Sequence, residues 1–483
     1  MDSEYLLSND TGKITHKGCT CHLSLGTREL FIFDKTGRKA VRVVSLKSVI
    51  GSRAFVSNTE HGLSVLEVYD YKFDDSGYFS FLRRTKQRKC ETLIFNFADG
   101  ATCQHWANAI SQMCMSQPSS SVEDATRMTD FNLTAAIRPR RFMVFVNPVS
   151  GQGRSVSIWK YQVEPMLLQA GIEVKLVVTQ YANHAKDTME DIDPSSFECI
   201  LALGGDGMLF EIVNGLSARS KEDGDHVLRS VCLVPIPGGS GNGLAKSLLF
   251  EDGEEFSVIN SVFMAVKGTS APMDLSLVET TSHTFRSFLL LGWGLISDID
   301  LLSESMRFLG EFRLYLAGAY FIMMRRLYKG RLSLFTGGLN GLESSGRSPC
   351  TLPPLDQTII AGDGWEVIDT SFLLVWIVQT SHVASTMYSG PGVTSYDGVF
   401  TIYVVTEMNR LDILRLLIAM DTGDHVNHPK VKTYKCTAYR LEPDLDTGKQ
   451  GRYTLDGELV EYGPIQGIIQ PGAARVKKFT QQS

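Results

Sequence analysis

Three apolar strand patterns in the middle of the chain each run into a glycine-rich turn and then into a helical pattern. The strand patterns cover residues 142–146, 199–203 and 231–236, and their turns cover residues 147–153, 204–207 and 237–243. A fourth strand pattern, at 173–178, follows the first helical stretch. Strands that alternate with helices predict a parallel sheet with helices on both faces. The carboxyl ends of parallel strands share one edge of the sheet, so we expect the three turns to meet there.

Glycine turns at such an edge favour a nucleotide or phosphate ligand, because backbone N–H groups and helix N-termini can approach phosphate oxygens closely. Three common motifs are excluded by their spacing. Leu244 replaces the lysine of a Walker A loop, Val156 stands at the third glycine of a dinucleotide fingerprint, and Asn242 breaks the nucleophile elbow of hydrolases. The turns therefore predict a phosphate site that belongs to none of these three classes.

Composition limits the class of protein further. The 483 residues exceed the usual size of one core, and the 43% apolar content excludes general disorder. A net charge of -6 gives no overall reason to expect a nucleic-acid partner. The N-terminus lacks a signal-peptide pattern, the apolar stretches at 288–296 and 314–324 are too short to span a bilayer, and the nine scattered cysteines do not suggest a disulfide framework. We therefore expect a soluble, cytoplasmic protein.

Breaks in composition divide the chain. A polar, serine-rich stretch at 116–124 predicts a linker, and a stretch rich in Gly, Ser and Pro at 337–354 predicts a mobile insertion. The predicted fold class is α/β plus β, with a three-layer nucleotide-binding α/β lobe and an antiparallel β-sandwich lobe. We place a small β-module at 1–116, the linker at 117–139, the α/β lobe at 140–270 and the sandwich lobe at 271–483.

The predicted N-terminal module consists of short strand patterns followed by one helix at 101–115, on which Trp106, Ile110 and Met113 share a face. This order of elements resembles the pleckstrin-homology-type fold. The module also carries a basic run, Arg83-Arg84-Thr85-Lys86-Gln87-Arg88-Lys89. A basic loop on such a barrel can bind anionic lipid headgroups, although a solvated hairpin tip explains the same run equally well.

Longer motifs around the turns resemble those of one enzyme family. Asn147-Pro148 with Ser150-Gly151-x-Gly153, Gly204-Gly205-Asp206-Gly207 and Gly239-Ser240-Gly241-Asn242 resemble the diacylglycerol-kinase catalytic fold of lipid kinases. Within that fold the chain is most similar to sphingosine kinases, through the 293–300 stretch (WGLISDID), Ser303-Glu304, Arg307-x-Leu309-Gly310-Glu311-x-Arg313 and Asp456-Gly457-Glu458. The resemblance extends from about residue 140 to the C-terminus, apart from 337–354.

The resemblance implies that Asp206 is the general base that takes the proton from the primary hydroxyl of a lipid. An aspartate that only stabilises a turn or caps a helix is the alternative. The resemblance also implies an ATP site, which would be formed by Asn147, Pro148, Val149, Thr179, Gly205, Gly239, Ser240, Gly241, Arg307, Arg313, Asp456, Gly457 and Glu458. From the residues alone, Thr179 is nearly as well explained as a strand terminus, one of the two arginines as a surface residue, and Asp456-Gly457 as a hairpin turn.

Phosphoryl transfer from ATP implies Mg²⁺, whose protein ligands the sequence does not identify. The resemblance assigns Asp300 to the ammonium group of a long-chain amino alcohol, with Asp298 nearby, although Asp298 also suits a helix cap. Apolar helical patterns at 308–320 and 411–418 either line a slot for the hydrocarbon tail or pack in the core. Leu290 stands where close relatives are expected to carry a small hydroxylated residue, so one hydrogen bond to the headgroup should be missing.

The expected activity is transfer of the ATP γ-phosphate to sphingosine, which gives sphingosine 1-phosphate. Ceramide kinase and diacylglycerol kinase are alternatives, but neither lipid offers a cation to pair with Asp300. A catalytically silent lipid-binding scaffold is the alternative from a different class. We expect peripheral membrane contact, through the basic run at 83–89 or an exposed apolar helix of the second lobe. The sequence does not indicate an oligomeric state.

Overall fold

The computed structural model describes residues 7–8, 14–56, 63–73, 87–115, 140–219, 221–239, 241–304, 306, 312–337, 351–445 and 451–479. The whole of the predicted linker at 117–139 and most of the predicted insertion at 337–354 therefore lie outside the described residues. The first strands are β1 (Leu7–Ser8), β2 (Ile14–His16), β3 (Cys19–Leu25), β4 (Glu29–Phe33), β5 (Ala40–Ser45), β6 (Val49–Val56), β7 (Ser64–Phe73) and β8 (Arg88–Phe97). They are antiparallel and pair in the order β5-β4-β3-β2-β8-β7-β6, with β1 beside β3.

One helix, Gly100–Met115, packs against these N-terminal strands. The predicted apolar face is confirmed, since Trp106, Ile110 and Met113 are all buried in the core of the module. Ser52 fixes the helix to strand β6, because its Oγ donates to the carbonyl oxygen of Ala107 at 2.7 Å. The strands and this helix, Leu7–Ser8 through Gly100–Met115, are called the N-terminal module below.

The predicted parallel sheet is confirmed. Its strands are β9 (Arg141–Val146), β10 (Glu173–Val178), β11 (Cys199–Gly204) and β12 (Cys232–Pro237), and they pair in the order β10-β9-β11-β12. The intervening helical segments are Ser150–Gly153, Ser155–Ile158, the π-helical Trp159–Val163, Glu164–Gln169, His184–Asp191, the 3₁₀ turn Pro194–Ser196, Asp206–Ala218, Lys221–Ser230, Gly243–Glu251 and Val258–Lys267. The helix His184–Asp191 has no clear signal in the sequence, because only Ala185 and Met189 face the core and the remaining residues show no apolar period.

The second lobe begins with β13 (Thr269–Glu279), and its strands form two packed sheets. The others are β14 (Thr284–Ser287), β15 (Leu290–Gly294), β16 (Tyr328–Phe335), β17 (Trp365–Phe372), β18 (Leu374–Val378), β19 (Phe400–Val405), β20 (Lys432–Cys436), β21 (Ala438–Pro443), β22 (Tyr453–Leu455), β23 (Glu458–Val460) and β24 (Ile465–Lys478). One sheet, called the outer sheet below, has the order β20-β19-β18-β15-β22-β23. It packs against an antiparallel layer of β13, β16, β21 and β24, so the predicted sandwich is confirmed.

The two lobes share one continuous sheet. Strand β24 lies parallel to β12, with Cys232 opposite Arg475, and antiparallel to β13 and β21. The parallel strands of the first lobe therefore continue directly into the antiparallel layer of the second, in the order β12-β24-β21-β16-β17. The sequence pattern gave no sign of this junction, because pairing partners far apart in the chain leave no local signal.

Helices cover the face of the outer sheet that points away from the sandwich. They are Leu295–Glu304, Phe312–Met324 and Arg410–Ala419, followed by the 3₁₀ turn Asp424–Asn427. The first of these helices begins directly after strand β15. That helix starts at Leu295, where Gly294 adopts φ 85° and turns the chain.

The N-terminal module is fixed to the first lobe by buried cations. Arg88 forms an ion pair with Glu254 at 2.5 Å, and its guanidinium lies 3.8 Å from the ring centre of Phe263. Lys267 of the first lobe donates to the carbonyl oxygens of Leu46, Val49 and Cys114 in the module, at 3.0, 3.0 and 2.6 Å.

This contact corrects one expectation for the basic run at 83–89. Residues 83–86 lie outside the described residues, but Arg88 is buried at the start of strand β8 and faces the first lobe. It is therefore neither a solvated hairpin tip nor a membrane contact. The aromatic rings and the carboxylate that receive it come from distant parts of the chain, so the local run of basic residues could not reveal its burial.

Candidate active site

The three glycine-rich turns meet at the carboxyl edge of the parallel strands. The backbone N–H of Asn147 donates to the carbonyl oxygen of Leu203 at 3.2 Å, and that of Gly238 donates to Gly204 at 3.0 Å. The N–H of Asp206 donates to the carbonyl oxygen of Gly241 at 3.1 Å. Each turn is thus hydrogen-bonded to the next one along the sheet, and the predicted meeting of the turns is confirmed.

Two glycines allow the second and third turns to approach this closely. A Cβ atom on Gly239 would lie 2.7 Å from the backbone nitrogen of Gly205, and one on Gly205 would lie 2.8 Å from the carbonyl oxygen of Gly241. Both distances are shorter than van der Waals contact with backbone atoms that cannot move away easily. A larger residue at either position would push the two turns apart.

Asn242 holds the third turn in shape. Its Oδ1 accepts hydrogen bonds from the N–H groups of Gly238 and Gly239, both at 3.3 Å, and its Nδ2 donates to the carbonyl oxygen of Gly239 at 2.7 Å. The side chain is buried and lies directly before the helix Gly243–Glu251. Ser240, which the sequence assigned to the phosphates, lies outside the described residues.

Asp206 is the first residue of the helix Asp206–Ala218 and its side chain is 6% exposed. Its Oδ2 accepts from the N–H of Gly243 at 2.7 Å and its Oδ1 from that of Leu244 at 3.2 Å. Burial raises the pKa of Asp206 to about 6, against the opposing effect of these two N–H groups. A buried carboxylate at the junction of two glycine turns, with a pKa near neutrality, is suited to accept a proton.

The first turn and the neighbouring edge strand border this junction. The Oδ1 of Asn147 accepts from the N–H of Val149 at 3.0 Å, which shapes the turn around Pro148, and Val149 itself is 79% exposed. Thr179 follows strand β10, the neighbour of β9, and its N–H donates to the carbonyl oxygen of Val146 at 2.9 Å. These residues therefore lie side by side at the same sheet edge.

The Asp456-Gly457-Glu458 turn separates its two acidic residues. Asp456 is buried with φ 51°, and its carboxylate accepts from Ser287 Oγ at 2.7 Å and from the N–H groups of Phe288, Leu289 and Leu290 at 2.9 to 3.0 Å. Burial raises its pKa to about 6. Its carboxylate therefore holds the start of strand β15 through three backbone N–H groups and one hydroxyl.

Glu458 is the acidic residue of this turn that faces the junction. A Cβ atom on Gly207 would lie 2.8 Å from Glu458 Oε1, which places the carboxylate beside the residue that follows Asp206. Glu458 is exposed, whereas Asp456 is not. Positive φ at both Asp456 and Gly457 produces the reversal that separates the two side chains.

Asp298 and Asp300 both lie on the helix Leu295–Glu304, where two residues of separation place them on nearly opposite faces. Asp298 is buried and its Oδ2 accepts from the hydroxyl of Tyr328 at 2.5 Å. Burial raises the pKa of Asp298. Asp300 is half-buried. The structure thus does not bring the two carboxylates together, and Asp298 is buried against the hydroxyl of Tyr328 on strand β16.

Arg307 lies outside the described residues, and so does the side chain of Arg313, whose backbone falls in the helix Phe312–Met324. Leu290, where a hydroxyl was expected, is buried at the start of strand β15. The residues grouped around one junction are thus Asp206, Asn147, Thr179, Gly205, Gly239, Gly241 and Glu458. The carboxylates of Asp298 and Asp456 accept hydrogen bonds from donors within the second lobe.

Comparison with known proteins agrees with this geometry. The sequence model of the diacylglycerol kinase catalytic domain matches residues 141–278. Sphingosine kinase 1 of Homo sapiens is 32% identical over 352 residues, which cover 69% of this chain and 90% of that protein. The chain belongs to the sphingosine kinase family. Sphingosine kinase 1 of Arabidopsis thaliana is 30% identical over 348 residues, which cover 69% of this chain and 71% of that protein. A sphingoid long chain base kinase of Schizosaccharomyces pombe is 26% identical over 372 residues, which cover 72% of this chain and 78% of that protein.

Two further similarities concern the fold of this sphingosine kinase family member. The model of the C-terminal, NAD kinase beta sandwich-like domain of YegS matches residues 351–478. A solved structure assigned as a diacylglycerol kinase from Bacillus anthracis aligns with a TM-score of 0.50 and 19% identity, covering 71% of this chain and 98% of that one. The architecture of two lobes with a diacylglycerol-kinase-type catalytic fold is therefore shared.

The described residues of this family member contain no group of three or more His, Cys, Asp or Glu side chains placed to hold a metal ion. Of the described helices, none is both long and apolar enough to cross a bilayer.

Proposed function

We propose that the chain transfers the γ-phosphoryl group of ATP to the primary hydroxyl of sphingosine or a closely related sphingoid base. The observation that carries this proposal is the placement of Asp206, a buried carboxylate with a pKa near neutrality at the junction of two glycine turns. Membership of the sphingosine kinase family supports the choice of substrate.

In the proposed reaction Asp206 accepts the proton of the lipid's primary hydroxyl. The hydroxyl oxygen then forms a bond to the γ-phosphorus as the bond between that phosphorus and the β,γ-bridging oxygen breaks, and ADP leaves with those electrons. The N–H groups of Gly243 and Leu244 hold the Asp206 carboxylate in one orientation, 2.7 and 3.2 Å away. A base held in this way needs no rearrangement before it takes the proton.

The nucleotide is proposed to lie along the first and third turns. Asn147, Pro148, Val149 and Thr179 border it, and the backbone of Gly205, Gly239 and Gly241 with the hydroxyl of Ser240 contacts its phosphates. Arg307 and Arg313 are proposed to reach the phosphates from the second lobe. Glu458, rather than Asp456, is the acidic residue of its turn that we assign to this site, since it lies beside Gly207.

Bound Mg²⁺ would neutralise charge on the phosphate oxygens of ATP. Asp456 does not suit it as a ligand, because its carboxylate is already surrounded by N–H and O–H donors. Glu458 lies beside Gly207, the residue that follows Asp206, and we propose it as a contact of the metal or of its water shell.

Asp300 is proposed to bind the ammonium group of the sphingoid base. It lies half-buried on the helix that covers the outer sheet, opposite in direction to the structural Asp298. Ceramide carries an amide and diacylglycerol carries an ester, so neither offers a cation to this carboxylate. Electrostatic pairing therefore favours sphingosine over both lipids.

The test is transfer of radiolabel from ATP to sphingosine, ceramide and diacylglycerol in parallel, with the Asp206→Asn variant as the matched control. Labelled sphingosine with the unmodified chain and none with the variant is the expected result. Transfer to ceramide alone or to diacylglycerol alone would contradict the substrate assignment. No transfer to any of the three would favour a lipid-binding scaffold.

Peripheral membrane binding of a cytoplasmic protein is proposed through two neighbouring helices of the second lobe. Leu411 and Ile418 are each 66% exposed on the helix Arg410–Ala419, and Met323 is 65% exposed on the helix Phe312–Met324. Arg415 on the same surface has a 75% exposed side chain. Exposed apolar groups beside a cation suit an anionic bilayer.

Vesicle sedimentation tests this surface. Leu411→Glu with Ile418→Glu is expected to reduce binding to vesicles that contain phosphatidylserine. Leu459→Glu, at a 60% exposed position on strand β23, serves as the control and should leave binding unchanged. Equal binding by all three proteins would contradict the assignment of this surface.

The N-terminal module is proposed to be a pleckstrin-homology-like domain, on the basis of antiparallel strands followed by one helix with a buried tryptophan. Comparison of the observed strand order with known pleckstrin-homology domains would test the assignment of the module.

The proposed domain limits place the module at 1–116, the nucleotide lobe at 140–270 and the lipid lobe at 271–483. Limited proteolysis with mass spectrometry would test these limits, since cleavage is expected first within 117–139 and 337–354.

A further inference from the structure

Two hydroxyl groups are paired beneath the helix that carries Asp300. Ser297 Oγ and Thr454 Oγ1 lie 2.9 Å apart, and the two residues are 0% and 2% exposed. Two hydroxyls have two protons, and their mutual hydrogen bond uses only one of them. Among the described residues neither hydroxyl makes another hydrogen bond, so one buried proton has no acceptor. Leaving a buried donor unpaired is unfavourable, which points to a partner that the chain itself does not supply.

The pair faces the strand on which the sequence led us to expect a missing hydroxyl. A Cβ atom on Gly292 would lie 2.7 Å from Ser297 Oγ, 2.9 Å from Thr454 Oγ1 and 3.7 Å from Leu290 Cδ1. Glycine at position 292 therefore makes room for the pair, and the end of the Leu290 side chain lies close to it. The two hydroxyls thus occupy the neighbourhood in which Leu290 offers no hydrogen bond.

The pair is also connected, through a helix and a turn, to the residues proposed to bind the substrate headgroup. Ser297 is three residues before Asp300 on the helix Leu295–Glu304, so the two side chains are neighbours along that helix. Thr454 lies on strand β22, which leads directly into the turn that places Glu458 beside Gly207 and hence near Asp206. Both residues are buried from bulk water.

We propose that Ser297 and Thr454 form the subsite for the secondary hydroxyl of the sphingoid base. This inference rests on the proposed function. A sphingoid base carries its primary hydroxyl, its amine and a secondary hydroxyl on three consecutive carbons. A secondary hydroxyl both donates and accepts, so it can take the unpaired proton of the pair and donate its own proton to a lone pair of Ser297 or Thr454. Recognition by buried polar groups disfavours an analogue that lacks the matching group, because the pair is then left unsatisfied.

The experiment compares kcat/KM for sphinganine and for 3-deoxysphinganine, which keeps the primary hydroxyl and the amine. The unmodified chain should prefer sphinganine by about 5- to 20-fold, the range expected for one buried hydrogen bond. The variant that combines Ser297→Ala with Thr454→Val should lose most of this preference. Thr454→Ser keeps a hydroxyl at this position and should retain the preference for sphinganine. Ser333→Ala removes a buried hydroxyl from strand β16, away from the pair, and should also retain that preference.

The preference is a ratio measured on one preparation, so a variant that folds less well changes both rates together and leaves the ratio interpretable. An unchanged preference in the double variant would overturn the subsite, as would equal rates for both substrates with the unmodified chain. If the unmodified chain phosphorylates neither base, the proposed function itself fails. That outcome is distinguishable from failure of the subsite alone.

Discussion

Asp206 and Gly243 are joined by a hydrogen bond of 2.7 Å from the N–H of the glycine to the Oδ2 of the carboxylate. Because Gly243 is the first residue of the helix Gly243–Glu251, the bond connects the second glycine turn with the start of the helix that follows the third. The positive end of that helix stabilises the ionised form of Asp206, whereas burial opposes it. The balance leaves the carboxylate poised between its two protonation states near pH 6.

Replacing Asp206 with asparagine should reduce kcat by at least about 100-fold, the usual contribution of a general base. The amide oxygen can still accept the hydrogen bond from Gly243, so the fold should persist. Activity is measured by radiolabel transfer, and folding by thermal unfolding and circular dichroism. A variant that keeps more than a tenth of the rate would remove Asp206 from the role of base.

The pH dependence of kcat/KM should show an acidic limb controlled by Asp206. Since burial raises the pKa of Asp206 to about 6 and its ionised form is the active one, kcat/KM should fall about tenfold per unit below that pH. A limb near pH 4, the ordinary range of an aspartate, would contradict this prediction.

The free energy of unfolding should also depend on the ionisation of Asp206. The folded chain holds the Asp206 proton more tightly than the unfolded chain, so Asp206 favours folding at low pH and loses that contribution as the pH rises from about 4 through about 6. Asp206→Asn should therefore gain stability relative to the unmodified chain over that range, by up to about 3 kcal/mol for a shift of about two units. Urea unfolding at several pH values measures the difference, and a difference that is constant with pH would exclude the effect.

Substitution of Asp456 should reduce stability, whereas substitution of Glu458 should affect ATP binding. Asp456→Ala removes the acceptor of three backbone N–H groups and one hydroxyl, so we expect the free energy of unfolding to fall by about 2 to 4 kcal/mol. Glu458→Gln should leave unfolding unchanged and raise the KM for ATP. Urea unfolding and steady-state kinetics on both variants check this pair. Similar thermodynamic losses in both variants would show that the turn is structural throughout.

Removing Arg88 should weaken the attachment of the N-terminal module to the catalytic lobe. Arg88→Ala leaves Glu254 buried without its cation and exposes the ring of Phe263, so a loss of about 3 to 5 kcal/mol is expected. Adding Glu254→Gln to Arg88→Ala should restore part of that loss, because the unpaired charge disappears. Arg53→Ala, at an exposed arginine of the same module, is the matched control and should change stability by less than about 0.5 kcal/mol.

Much of the site followed from the sequence because parallel topology brings distant strand ends together. The turns around Asn147, Gly205 and Gly239 could be placed at one sheet edge without coordinates, and Trp106 could be assigned to the core from helical spacing alone. These predictions depend on patterns that are local or that follow from one rule of sheet geometry.

Other features could not be predicted because the deciding contacts come from distant segments. The sequence does not say which acidic residue of the 456–458 turn points inward, since the choice depends on φ 51° at Asp456 and on the N–H groups of strand β15. Likewise Arg88 lies in a basic run that resembles a solvated loop, yet Glu254 and Phe263 enclose it. The Ser297 and Thr454 pair joins a helix to a strand more than 150 residues later.

Strand β24 has a consequence for how the chain acquires its shape during synthesis. It spans Ile465–Lys478 and pairs with β12, β13 and β21, so it fills the gap between the parallel and antiparallel parts of the shared sheet. The ribosome releases these residues after the glycine turns have already emerged. Until strand β24 has been synthesised, strand β12 of the first lobe has one unpaired edge. An unpaired edge of this kind favours chaperone binding and aggregation.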